Sequence, residues 1–186
     1  MKARIRALVF ARVKASTDEV AAPMPGDDVV RHPDSVMDRA FTITAPPELV
    51  WPWLTQLGKR RAGWYLPQRV ERFLPRSHRA IRHLDSRWLN LTAGDVIPDY
   101  GGRHETFTVS EISPPHVLGY TSKRGRTNIS WSIKLTLIDG DSTRVQLRLR
   151  LGPVRHKRLV ATAGELIDLI TIAGLAAGLQ ERVTRS

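Results

Sequence analysis

The chain has 186 residues, no cysteine and a formal charge of +11. A length of this order suits one domain burying roughly 70% of its unfolded surface. The lack of cysteine excludes disulfides, thiolate metal sites and cysteine nucleophiles. The charge is local: residues 59–88 carry nine Lys and Arg against only Glu71 and Asp85. Such a segment can meet an anionic surface, or it can be a solvated face. The second is expected here: nucleic acid is not expected as a partner, and weak contact with an anionic membrane stays open.

At the start, basic residues flank the short apolar run Ala7–Ala11, which Arg12 and Lys14 cut off. Without a longer apolar centre or a cleavage site this reads as a surface extension and not as a leader. Residues 17–37 hold Pro23, Pro25, Gly26 and Pro33 without periodicity and read as a linker or loosely laid arm. The expected division is therefore an extension and linker over 1–37 and a folded domain over 38–186.

Arg39–Thr44 is rich in aromatic and β-branched residues and predicts a strand. Pro46, Pro47 and Glu48 then open a helix, because proline is tolerated in a first turn and an acid suits its positive end. Leu49, Val50, Trp53, Leu54 and Leu57 form its apolar stripe, with Pro52 bending it or marking its true start. A second short helix is expected over Arg69–Leu74. If helical, Arg69, Arg72, Arg76 and Arg79 would form a basic stripe.

Beyond Gly94 the period becomes two. Phe107 and Val109 alternate with polar residues, and Val117–Tyr120 is a further short strand. The clearest strand sets Ile129, Trp131, Ile133, Leu135 and Leu137 on one face. After an Asp139-Gly140 turn, Val145, Leu147, Leu149 and Leu151 continue that face. Alternation this clean predicts one apolar and one wet face, with Arg148 and Arg150 on the wet one. A terminal helix is expected over Arg158–Arg182, apolar around much of its circumference and therefore covered on several sides. Gly174 and Gly178 in it suggest close packing on the sheet. Its apolar run, Leu166–Leu179, is short of the ~20 residues needed to span a bilayer and contains Asp168.

These elements make an α+β, helix-grip arrangement: a curved antiparallel sheet wrapped around a long C-terminal helix, with two short helices near the first strand. Such a sheet can curl away from its helix and leave a cavity. The run Ile43-Thr44-Ala45-Pro46-Pro47-Glu48-Leu49-Val50-Trp51-Pro52-Trp53-Leu54 carries a resemblance, extended by Gln56-Leu57-Gly58, Arg61–Tyr65, Gly94–Pro98 and Ser130-Trp131. Over about residues 24–183 the chain resembles the polyketide cyclase/START-like (SRPBCC) superfamily, in particular its bacterial members. The resemblance implies a hydrophobic cavity for lipid-, polyketide- or steroid-like ligands, with its entrance near Trp64 and Tyr65. A shared fold does not fix chemistry.

The ligand-binding residues expected are Trp64, Tyr65, Trp88, Phe107, Tyr120, Trp131, Leu166 and Ile170, since flat rings beside a pocket suit an apolar ligand. Plain core packing is the alternative for each. Asp99, His104 and Glu105 near a turn, with Tyr65, Tyr100 and Tyr120, could perform acid–base work in a cyclase- or aromatase-like enzyme. Surface and packing roles compete with that reading. No catalytic residue is assigned, and binding without turnover is favoured over catalysis. None of the six histidines pairs at a ligand spacing, and His78 and His83 are five apart, so no metal is expected. No nucleophile elbow or phosphate loop occurs, and no cofactor is expected. The leading expectation is a cytoplasmic protein holding a hydrophobic small molecule, its oligomeric state open.

Overall fold

The computed structural model describes residues 13–155 and 160–185. The expectations for Met1–Arg12, and for a helix beginning at Arg158, lie outside those residues. In chain order the elements are α1 (Thr17–Ala21), β1 (Ser35–Ile43), α2 (Pro47–Gln56) and α3 (Gln68–Glu71). Next come β2 (Val96–Pro98), β3 (Thr106–Ser113), β4 (Val117–Arg124), β5 (Thr127–Ile138) and β6 (Ser142–Gly152). A π-helical turn, Val160–Gly164, leads into the long α4 (Glu165–Val183).

The strands form one antiparallel sheet in the order β1-β6-β5-β4-β3-β2. The β5–β6 register pairs Ile129 with Leu151, Trp131 with Leu149, Ile133 with Leu147 and Leu135 with Val145. Because side chains alternate along a strand, this sets all eight on one face. That face packs with Ile172, Leu175, Leu179 and Val183 of α4 and with Val50, Trp53 and Leu54 of α2. Each fully buried aliphatic side chain of this kind stabilises the fold by about 1.5–3 kcal/mol. The chain is a helix-grip domain, as its periodicities predict.

Three expectations are corrected. First, the face read as wet is covered over much of its length. Ser130, Ser132 and Arg148 are buried because residues 13–34, read as a loose arm, lie across them. Val13, Met24 and Val30 of that segment are buried, and β1 itself begins at Ser35 rather than Arg39. The arm is held by the sheet's arginines. Arg144 pairs with Glu19 at 2.6 Å, and Arg148 with Asp27 at 2.8 Å while also pairing within the sheet with Asp38 of β1 at 2.6 Å. Arg150 donates to the Val30 carbonyl at 3.1 Å. The Arg144 guanidinium holds the Glu19 carboxyl down to about 2.

Second, the basic stripe does not form. The helix ends at Glu71, and Arg76–His78 is a separate 3-10 turn. Proline at 75 removes a donor and disfavours continuation. The cations of this segment satisfy carbonyls that an irregular chain leaves open. Lys59 donates to Asp99 and Gly102, Arg61 to Thr55 and Trp88, and Arg79 to Leu74 and Arg72. Much of the local charge therefore holds the fold together.

Third, the glycines of α4 do not face the sheet. A Cβ on Gly178 would lie 2.6 Å from Leu66 N, and one on Gly174 would lie 2.6 Å from Leu66 Cδ2. They admit the Tyr65–Leu66 backbone and side chain against the helix. The helical stretch Thr162–Val183 is also long and apolar enough, by length and composition, to cross a membrane, contrary to the shorter run counted from the sequence. Here its Ile172, Leu175, Leu179 and Val183 belong to the core.

Candidate functional site

The outer end of the apolar face does not reach α4 closely, and a cavity of about 550 Å³ remains there. Its floor is Ile129 and Trp131 of β5 with Leu149 and Leu151 of β6. Phe107 of β3 stands at one side, and Trp64, Asp168, Thr171 and Ile172 close the helix side. The β2–β3 loop adds Asp99, Tyr100 and Gly101, and Arg124 comes from the end of β4. An apolar chamber with a few convergent polar groups is the usual form of a small-molecule site.

The rings are mutually packed. Trp64 and Trp131 stack with centroids 6.2 Å apart, and Tyr100 meets Trp64 edge-on at 6.0 Å. Phe107 lies 6.1 Å from Trp131, and Tyr120 stacks behind Trp131 at 5.4 Å. Trp64 Nε1 donates to the Thr171 carbonyl at 3.2 Å, tying the loop after α2 to α4. A ring pinned on both sides gives a ligand surface that loses little freedom on binding.

Two ion-pair groups border these rings. On the helix side, Asp168 faces Arg39 Nε of β1 at 2.9 Å, and Arg39 also reaches Glu165 at 2.6 Å. Burial is the main reason that the Asp168 carboxyl is pushed up to about 6; the Arg39 charge opposes this and Glu165 adds to it. On the other side, Asp99 pairs with Arg124, which also faces Glu105 at 3.6 Å. Burial lowers the Arg124 guanidinium from its ordinary value and raises the Tyr100 phenol.

Of the residues expected at a ligand site, the structure brings Trp64, Phe107 and Trp131 to the cavity wall. Tyr65 is fully buried in the core, donating to the Trp53 carbonyl at 2.8 Å and accepting from Gln56 at 3.1 Å. Tyr120 backs Trp131 from the core. Trp88 stands in a separate polar depression, with Arg61 4.9 Å over its ring. Leu166 and Ile170 point to solvent at 55% and 52% exposure. The phase of α4 turns them away and presents Asp168, Thr171 and Ile172 instead. Asp99 and Tyr100, considered for acid–base work, do border the cavity, and Glu105 stands behind Arg124. Asp168 and Arg124 were missed. The available signal was a lone carboxylate in an apolar helix. No group of three or more His, Cys, Asp or Glu among the described residues is placed to hold a metal ion.

A curved antiparallel sheet closed by a terminal helix over an aromatic cavity defines a helix-grip protein. No family model matches the chain, and none of the curated proteins does. Solved structures do. A Mesorhizobium loti protein is 17% identical, with a TM-score of 0.51 over 82% of this chain and 98% of its own. A Rhodobacter sphaeroides protein is 16% identical, with a TM-score of 0.53 over 82% of this chain and 93% of its own. One from Chromobacterium violaceum is 14% identical, with a TM-score of 0.50 over 79% and 96%. At these identities the likeness shows the fold, and the resemblance read from Ile43–Leu54 holds at that level.

Proposed function

We propose that the protein binds a hydrophobic small molecule, of lipid-, polyketide- or steroid-like size and character, in the cavity between the sheet and α4. The observation that carries this is the chamber of about 550 Å³ walled by Trp64, Phe107, Trp131, Ile129, Leu149 and Leu151. Volumes of roughly 300–1,000 Å³ suit such ligands. The neutral fluorophore N-phenyl-1-naphthylamine should bind saturably at one site, and Leu149→Trp, which fills the chamber, should abolish that binding. Undiminished binding to the Leu149→Trp variant would mean that the probe sits elsewhere.

A second reading is favoured by one observation. An enzyme of the cyclase or aromatase kind needs an ionisable group inside its pocket, and Asp168 is one, with its carboxyl raised to about 6 by burial. A carboxylate so tuned can take a proton from carbon beside a ketone while the walls hold the chain folded. That reading requires turnover of a bound poly-β-ketone that Asp168→Asn removes without loss of binding.

A further inference from the structure

The chain as a whole is strongly basic at +11, yet the charges around its cavity run the other way. Three cations, Arg39, Arg124 and Lys59 (which donates to the Asp99 and Gly102 carbonyls), stand against four carboxylates: Asp168 and Glu165 with Arg39 on the helix side, and Asp99 and Glu105 with Arg124 and Lys59 on the other. Asp168 and Asp99 are themselves cavity walls, with side chains only 15% and 12% exposed. Arg39 engages Asp168 through Oδ2. The rings of Trp64, Tyr100, Trp131 and Phe107 line the same chamber. Ring faces attract cations, more strongly where water is excluded. Only the helix side holds more carboxylates than cations, so an anionic ligand placed there would be repelled and a cationic one attracted.

We infer that the ligand is an apolar or aromatic amine, its ammonium group held by Asp168 and its hydrocarbon body lying on Trp64, Phe107 and Trp131. This rests on the cavity reading above and names the ligand class for that same site. The charged groups beside Asp168 are Arg39 from β1 and Glu165 from its own helix; Asp99 and Arg124 line the same chamber, with Glu105 and Lys59 behind them. Protonation of Asp168 near 6 removes the charge that the ammonium would meet. Amine affinity is therefore present above that value and declines as pH falls through it.

The test is calorimetric titration of the full chain with three probes of one shape: 2-(1-naphthyl)ethylamine, 2-(1-naphthyl)ethanol and 1-naphthylacetate. The amine should bind at least about tenfold more tightly than the alcohol, the scale of one modest charge pair, with the carboxylate weakest. Lowering the pH from about 8 to about 5, across the Asp168 titration, should shrink the amine's advantage and leave the alcohol unchanged. Asp168→Asn should bring amine and alcohol within about threefold of each other. Should that variant fail to fold, the wild-type pH series still decides: an amine advantage that does not shrink as pH falls through about 6 overturns the role of Asp168. Equal affinity for all three, or preference for the carboxylate, overturns the amine and leaves the cavity. If none of the three binds, the amine inference falls, and the N-phenyl-1-naphthylamine titration decides whether the cavity reading falls with it.

Discussion

Replacing Glu71 by alanine should destabilise the protein by about 3–5 kcal/mol, the cost of stranding a buried charge. Glu71 is 3% exposed and accepts from Arg182 at 2.6 Å and from Arg82 at 2.7 Å. The Arg182 side chain is fully buried, stacked 4.4 Å over the Tyr65 ring, and donates to the Leu66, Gly178 and Ile81 carbonyls. Burial pulls its guanidinium below the ordinary value, and the Glu71 charge works against that. Without the carboxylate the cation keeps its carbonyls but loses the Glu71 charge. Removing both charges is a different matter, because a buried ion pair replaced by apolar residues of similar volume is often neutral. Glu71→Gln with Arg182→Met should therefore be less damaging than Glu71→Ala alone. Urea midpoints for the wild type and the two variants measure this. A loss below about 1 kcal/mol for Glu71→Ala would show that water reaches the pair and screens it.

The second large effect is expected at Gly178, which lies against backbone. A Cβ there would meet Leu66 N at 2.6 Å and the Leu66 and Tyr65 carbonyl carbons at 2.7 Å. Backbone cannot rotate out of the way, so Gly178→Val should cost about 3 kcal/mol, the upper end for overpacking. The helix propensity gained on losing glycine, up to about 1 kcal/mol, does not offset this. Gly174 is the control. Its added Cβ meets only Leu66 Cδ2, the far end of a flexible side chain, so Gly174→Ala should be close to neutral. The displaced strand of chain carries Trp64, and Gly178→Val should accordingly weaken probe binding as well. Equal unfolding midpoints for the Gly178 and Gly174 variants would contradict the close contact.

How much of this was legible depended on whether a local period fixed it. The β5–β6 hairpin was readable because alternation and an Asp-Gly turn leave one register that buries Trp131, Ile133 and Leu147 together. The membership of its other face was legible, but not that the face is covered. Residues 13–34 have no periodicity, and their packing depends on Arg144, Arg148 and Arg150, more than a hundred positions away. The phase of α4 was illegible for the opposite reason. Leu166, Ile167 and Ile170 are as apolar as Ile172, Leu175 and Leu179, yet the first three are exposed. With apolar residues around most of the helix, hydropathy cannot say which side is inside. Asp168 was the informative exception, because a carboxylate in such a run needs a partner or a purpose. Arg39 is the partner; the amine proposal concerns the purpose.

The five tryptophans offer the most direct test of the cavity. Trp64 and Trp131 line it, Trp53 is in the core, Trp88 stands in another depression, and Trp51 packs at the core's edge. Their indole N–H signals in a two-dimensional NMR spectrum can be followed while N-phenyl-1-naphthylamine is added. The signals of Trp64 and Trp131 should shift and saturate together while those of Trp51 and Trp88 hold still. Saturable movement of Trp88 alone, or binding that leaves Trp64 and Trp131 untouched, would contradict it.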